Sequence, residues 1–191
     1  MHVLSVIHGT DARAELFEPA IAEAGHALDE WSFGWSSPPP RPLDAYDAVL
    51  VFGGAMHADQ DEHHPWLREE TMWLQQLLGR HTPVLGSLPP LFEALQWHHY
   101  TYGLPAGAVE LARSPACTQA FRLGDACWGV QFHPEVTAAQ LESWIVDASD
   151  PPPNPGGLRA ETPRKIDDWN ELGRTLCTAF LDAAERVPVR A

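Results

Sequence analysis

Short apolar runs alternate with stretches whose apolar residues recur at helical spacing. His2 to His8 predicts a first strand. Leu16, Phe17 and Ile21 then lie at helical spacing, with Pro19 opening or limiting the helix and Gly25 stopping it. His26 to Phe33 alternates as a second strand, Ser36 to Pro40 is a loop, and Ala48 to Phe52 is a buried strand that runs into Gly53-Gly54. A helix opens near Pro65, a good first-turn residue. Trp66, Trp73 and Leu77 form one of its seams, Leu67, Leu74 and Leu78 another, and Gly79 closes it. Pro83 to Gly86 is a further short strand. Strands joined by helices at this spacing predict a parallel sheet with helices on its faces.

The second half is richer in strands. Ala108 to Ala112, Ala120 to Leu123 and Cys127 to Phe132 are strand candidates, the last two joined by a Gly124-Asp125 hairpin turn. Thr137 and Gln140 predict a capping box before Leu141, Trp144 and Ile145. Pro151 to Gly157 reads as a stiff linker, and the last helix carries Trp169, Leu172, Leu176 and Phe180 on one face. The 191 residues favour a single domain spanning 1–191.

Composition narrows the function. With 45% hydrophobic and 20% charged residues, the chain matches soluble globular proteins, and it has no apolar run of membrane-spanning length. The N-terminal residues read as a strand rather than a signal peptide, so the expected location is cytoplasmic. A net charge of −14 disfavours nucleic acid and anionic membrane as partners. Cys117, Cys127 and Cys177 are an odd, widely spaced set that suggests neither a disulfide framework nor zinc spacing. His57, His63-His64 and His98-His99 likewise lack a metal-binding pattern, so no metal or cofactor is expected.

Three segments carry candidate chemistry, each at or just past the C-terminal end of a predicted strand, where open α/β sheets build ligand sites. They are Phe52-Gly53-Gly54, Pro83 to Gly86, and Gly129 to Glu135. Pro134 biases His133 toward an extended backbone, which puts the side chains of His133 and Glu135 on one side. A carboxylate there fixes the imidazole tautomer and stabilises the imidazolium, as the third member of a nucleophile-His-acid triad does. The same residues also fit a plain strand-end turn with an exposed glutamate. Gly53-Gly54 fits a close-approach oxyanion site as well as an ordinary strand-to-loop turn.

The ordered set resembles the class I glutamine amidotransferase family, in particular stand-alone proteins similar to the amidotransferase domain of GMP synthase. It comprises Val51-Phe52-Gly53-Gly54, Pro65-Trp66-Leu67, Thr82 to Gly86, Trp97-His98 and Trp128 to Glu135. The resemblance runs from about Asp47 to Ile145, and its most specific part is Val130 to Glu135. It implies a flavodoxin-like, open and mostly parallel sheet with extra strands and flanking helices. It also implies hydrolysis of the glutamine side-chain amide through a cysteine thioester, with ammonia passed to a synthetase partner; some relatives instead cleave γ-glutamyl amides. By position His133 is then the general base, Glu135 its orienting acid, and Gly53-Gly54 part of the oxyanion hole, while Gln131 and His98 lie in matching segments without an assigned step.

The chain departs from the family at the nucleophile. The family's strand runs into a Gly-x-Cys-x-Gly turn; here Gly86 is followed by Ser87-Leu88-Pro89-Pro90, with Leu88 in the cysteine position. Only Leu88 to Gln96 separate Ser87 from Trp97, where the family places the nucleophile helix and further strands. The sequence thus reads as internally truncated after the Pro83 to Gly86 strand. Ser87 sits one position early without an elbow and reads as a loop serine, and the three cysteines read as packing residues. The chain as written is expected to be inactive as a glutaminase. The alternatives are a non-catalytic amidotransferase-like binding module and a γ-glutamyl hydrolase. The ligand is then glutamine or a γ-glutamyl small molecule, with a synthetase partner or homo-oligomer as the macromolecular associate.

Overall fold

The computed structural model describes residues 1–56, 60–77, 89–124, 127–148 and 151–186. Strand β1 (His2–Val6) lies between β2 (Ala27–Trp31) and β3 (Ala48–Val51), and both neighbours run parallel to it, with Val6 opposite Trp31 and Val51. The crossover from β1 to β2 contains helix α1 (Phe17–Glu23), and β3 leads on to α2 (Trp66–Leu77). Gly25, at φ +79, supplies the left-handed residue that ends α1. The parallel sheet with flanking helices agrees with the alternation of apolar runs.

β1 is buried on both faces, as a central parallel strand must be. Val3 packs with Ile7, Phe17, Ile21, Phe52, Leu176 and Leu181; Leu4 and Val6 pack on the other side with Trp31, Tyr46 and Trp73. In α2 the buried residues are Leu67 and Glu70, with Trp73 packed against the second cluster. Gly79 and the Pro83 to Gly86 strand lie outside the described residues.

The second sheet is antiparallel: β4 (Ala108–Arg113), β5 (Thr118–Leu123) and β6 (Cys127–Val130), in that order. Gly124, at φ +61, leaves β5 toward β6, whereas Asp125 is outside the described residues. β6 stops two residues short of the expected end. Gln131 N–H still donates to the Gln119 carbonyl (2.8 Å), but the His133 N–H donates to the Leu95 carbonyl (3.0 Å), so the chain has left the sheet to meet the 89–107 loop.

Helix α3 (Ala138–Asp147) begins at Thr137, whose Oγ1 accepts from the Gln140 N–H (3.1 Å). The capping box is only half formed, because the Gln140 side chain donates to the Asp11 carbonyl instead (3.3 Å). Helix α4 (Pro155–Glu185) corrects the linker boundary. Pro155-Gly156-Gly157 is its first turn: Asn154 Oδ1 accepts from the Gly157 N–H (2.9 Å), and proline suits the first position because it has no N–H to leave unpaired. α4 meets both sheets, with Leu176, Cys177 and Leu181 in the parallel-sheet core and Leu172 packed with Ala120 and Phe132 of the other half.

Candidate functional site

His133 and Glu135 sit just beyond β6, against the middle of α4 at Gly173. The backbone turns at Pro134-Glu135 rather than running extended, which corrects the local geometry expected from the sequence. The side chains nevertheless meet: His133 Nδ1 donates to Glu135 Oε1 at 2.8 Å. The turn is held from three sides. The Leu16 N–H donates to the Glu135 carbonyl (3.2 Å), the His133 ring meets Trp144 edge-on (4.8 Å between centroids), and the Pro134 carbonyl presses on Gly173 of α4. A Cβ at position 173 would stand 1.9 Å from that oxygen, so only glycine allows this approach.

The Glu135 side chain is 6% exposed and that of His133 20%. The carboxylate is therefore sheltered, while the imidazole reaches the cleft. Nδ1 is committed to Glu135, and among the described residues Nε2 has no hydrogen-bond partner.

Gly53 and Gly54 follow β3 at the C-terminal end of the parallel sheet and line the same cleft as His133 and Glu135. The cleft measures about 1490 Å³, and its wall also includes Trp97, His98, Tyr100 and Gln131. Gln131 ties the preceding loop to the strand end: its Nε2 donates to the Tyr100 carbonyl (2.6 Å) and lies 3.0 Å from His98 Nδ1, while Thr101 Oγ1 donates to its Oε1 (3.1 Å).

No described cysteine is hydrogen-bonded to His133. The Cys117 thiol faces Gln131 Oε1 (3.6 Å). Burial pushes the Cys127 thiol up from its ordinary value and Cys177 to about 12, which disfavours a thiolate at either site. Ser87 and Leu88 lie outside the described residues. Among the described residues, no group of three or more His, Cys, Asp or Glu could hold a metal ion, and no helix is long and apolar enough to cross a membrane.

Solved structures match this fold over nearly the whole chain. A glutamine amidotransferase from Thermotoga maritima superposes with a TM-score of 0.80 at 22% identity, covering 96% of this chain and 99% of its own. A glutamine amidotransferase from Methylobacillus flagellatus gives 0.74 at 15% identity, with 98% and 96% covered. This chain has the class I glutamine amidotransferase-like fold. No protein-family model matches the sequence, and no curated protein does.

A second histidine-carboxylate pair lies behind the glycine turn of this fold, and the sequence reading missed it. His8, just past β1, donates from Nε2 to Glu70 Oε2 of α2 at 2.8 Å. Its ring stacks on Trp66 (5.2 Å, 20° between planes). Burial of the imidazole lowers its pKa, but the hydrogen bond and charge of Glu70, with the backbone of Gly53 and Phe52, outweigh burial and raise it above 6.5. One signal was present in the sequence: Glu70 interrupts the Trp66, Trp73, Leu77 seam, and a carboxylate on an apolar helix face needs a buried partner.

Proposed function

We propose that this chain is an amidotransferase-like protein that binds the side-chain amide of glutamine, or of a γ-glutamyl small molecule, and does not hydrolyse it. The reading rests chiefly on the 2.8 Å contact between His133 and Glu135 in a cleft shared with Gly53 and Gly54. In this assignment the amide carbonyl oxygen faces the glycine backbone, whose N–H groups approach without a side chain in the way. His133 Nε2 faces the amide nitrogen, with Glu135 fixing the tautomer.

In the family reaction a cysteine thiolate attacks the carbonyl carbon, and the histidine delivers a proton to the departing ammonia. The resemblance puts Leu88 at the cysteine position, and Cys117, Cys127 and Cys177 have partners or burial that suit packing. Without a thiolate, His133 has nothing to activate and no thioester forms. A γ-glutamyl conjugate is a second reading of the ligand, favoured by a cleft larger than the usual small-ligand pocket of about 300–1,000 Å³. Residues 1–191 act as one unit in this proposal, alone, with a synthetase partner or as a homo-oligomer.

Ammonia release from glutamine and from γ-glutamyl amides tests the assignment. Background rates are expected with both substrate classes, unchanged in Cys117→Ala and Cys127→Ala. Turnover that disappears in His133→Ala would overturn the non-catalytic reading, and loss in either cysteine variant would name the nucleophile.

A further inference from the structure

His8 and Glu70 do not line the cleft; Gly53 and Gly54 do, with His8 directly behind them. A Cβ on Gly54 would stand 2.6 Å from His8 Cβ and 2.8 Å from Met56 Sδ, so Gly54 rests on the histidine with no spare space, whereas Gly53 has none of these neighbours. The imidazole itself has little freedom. Trp66 stacks on one face, Glu70 holds Nε2, and the two side chains are only 10% and 7% exposed. We propose that His8 and Glu70 are a positioning pair that fixes the Gly53-Gly54 backbone at the cleft wall, setting the geometry of the turn that receives the ligand's carbonyl oxygen. The proposal rests on the amide-binding reading above for the turn's purpose, but not for the coupling itself.

The physical basis is the link made between separate elements. Glu70 belongs to α2, His8 follows β1, and the glycine turn follows β3. The imidazole, bonded to the Glu70 carboxylate and set against the Phe52-Gly53-Gly54 backbone, ties the three together. His64 meets the Trp66 ring on the approach to α2 (5.9 Å), and Asp11 lies in the loop that follows His8, against Gly9. Glu70 is the carboxylate in direct contact with His8. A neutral imidazole loses one donor and the attraction of Glu70, so the turn should report the protonation state of His8.

Glycine-selective ¹⁵N labelling of the whole chain tests this without requiring activity. The Gly53 and Gly54 amide resonances should move together as pH crosses the His8 titration, with a midpoint above the ordinary histidine value of about 6.5. Glu70→Gln should move that midpoint down, and His8→Gln should abolish it; Glu70→Gln keeps the test alive if His8→Gln fails to fold. Glutamine binding, read from the same spectra, should weaken roughly tenfold in His8→Gln, about the value of one hydrogen bond. Glycine resonances that ignore both substitutions would overturn the proposal even if glutamine binds through His133. Resonances that follow His8 while no amide ligand perturbs them would instead overturn the amide-binding reading and leave the positioning pair standing.

Discussion

Among the described residues, two histidine-glutamate pairs share a 2.8 Å contact in different surroundings. His133 and Glu135 are two residues apart, in a turn beyond the antiparallel sheet, with the imidazole reaching the cleft. His8 and Glu70 are 62 residues apart, joined across the parallel sheet's C-terminal end, and both are shut away from the cleft. The difference separates two uses of one chemical pair. An imidazole whose Nε2 is not taken by its glutamate and which lines a cleft can act on a ligand, whereas one clamped between a carboxylate, an indole and a glycine turn can only hold structure in place.

Removing the carboxylates should separate the pairs most strongly. Glu70→Ala leaves a buried imidazole without its partner and should cost about 3 kcal/mol in urea-unfolding stability, as breaking a buried pair does. The pH dependence follows from the raised His8 pKa. The pair's contribution is full below about 6.5, the unfolded value, and is lost as pH rises through the higher folded value. The Glu70→Ala deficit should therefore shrink between mildly acid and alkaline pH; a deficit that grows would reverse the assignment of the charge. Glu135→Ala, beside a more exposed imidazole, should cost less, about 1 kcal/mol.

Gly173→Ala comes next. Its new methyl group meets the Pro134 carbonyl, so either α4 or the His133-Pro134-Glu135 turn must move, at about 2 kcal/mol. The Gly53 and Gly54 amide resonances should change little in this variant while those around His133 shift. Equal disturbance of both would mean that the two regions form one rigid unit rather than separately supported walls.

These contrasts also mark what the sequence could tell. The His133–Glu135 contact was readable because the partners are two residues apart, although they meet across a turn rather than along the extended backbone that the proline suggested. The β5–β6 hairpin was readable from a glycine at its turn, and the parallel sheet from the alternation of apolar runs and helical seams. His8 with Glu70 was not, because the contact exists only once β1 and α2 are packed. The first turn of α4 was hidden by the proline- and glycine-rich composition of 151–157, although Asn154-Pro155 carried the helix-start signal. Glu15 was opaque for another reason: a good helix former gives no hint that it sits at φ +39, just before the Leu16 N–H that holds Glu135.

That residue supplies the smallest effect. Glu15→Gly relieves a left-handed backbone that costs roughly 1 kcal/mol or more, but adds glycine's unfolded-state entropy. It also removes the acceptor of a 3.3 Å hydrogen bond from Thr137 Oγ1. The net expectation is a gain of about 0.5 kcal/mol in thermal or urea unfolding, with ligand affinity unchanged. A loss of stability would show that the Thr137 contact outweighs the backbone strain.

Calorimetric titration of the whole chain with glutamine, with His133→Ala alongside, distinguishes binding at His133 from turnover there. Binding gives a heat that decays after each injection, whereas hydrolysis gives a sustained heat. Decaying heats are expected in the wild-type chain, with an affinity at least roughly tenfold weaker in His133→Ala, the loss of about one hydrogen bond. A sustained heat that vanishes in His133→Ala, or identical binding by the two proteins, would contradict binding without turnover at His133.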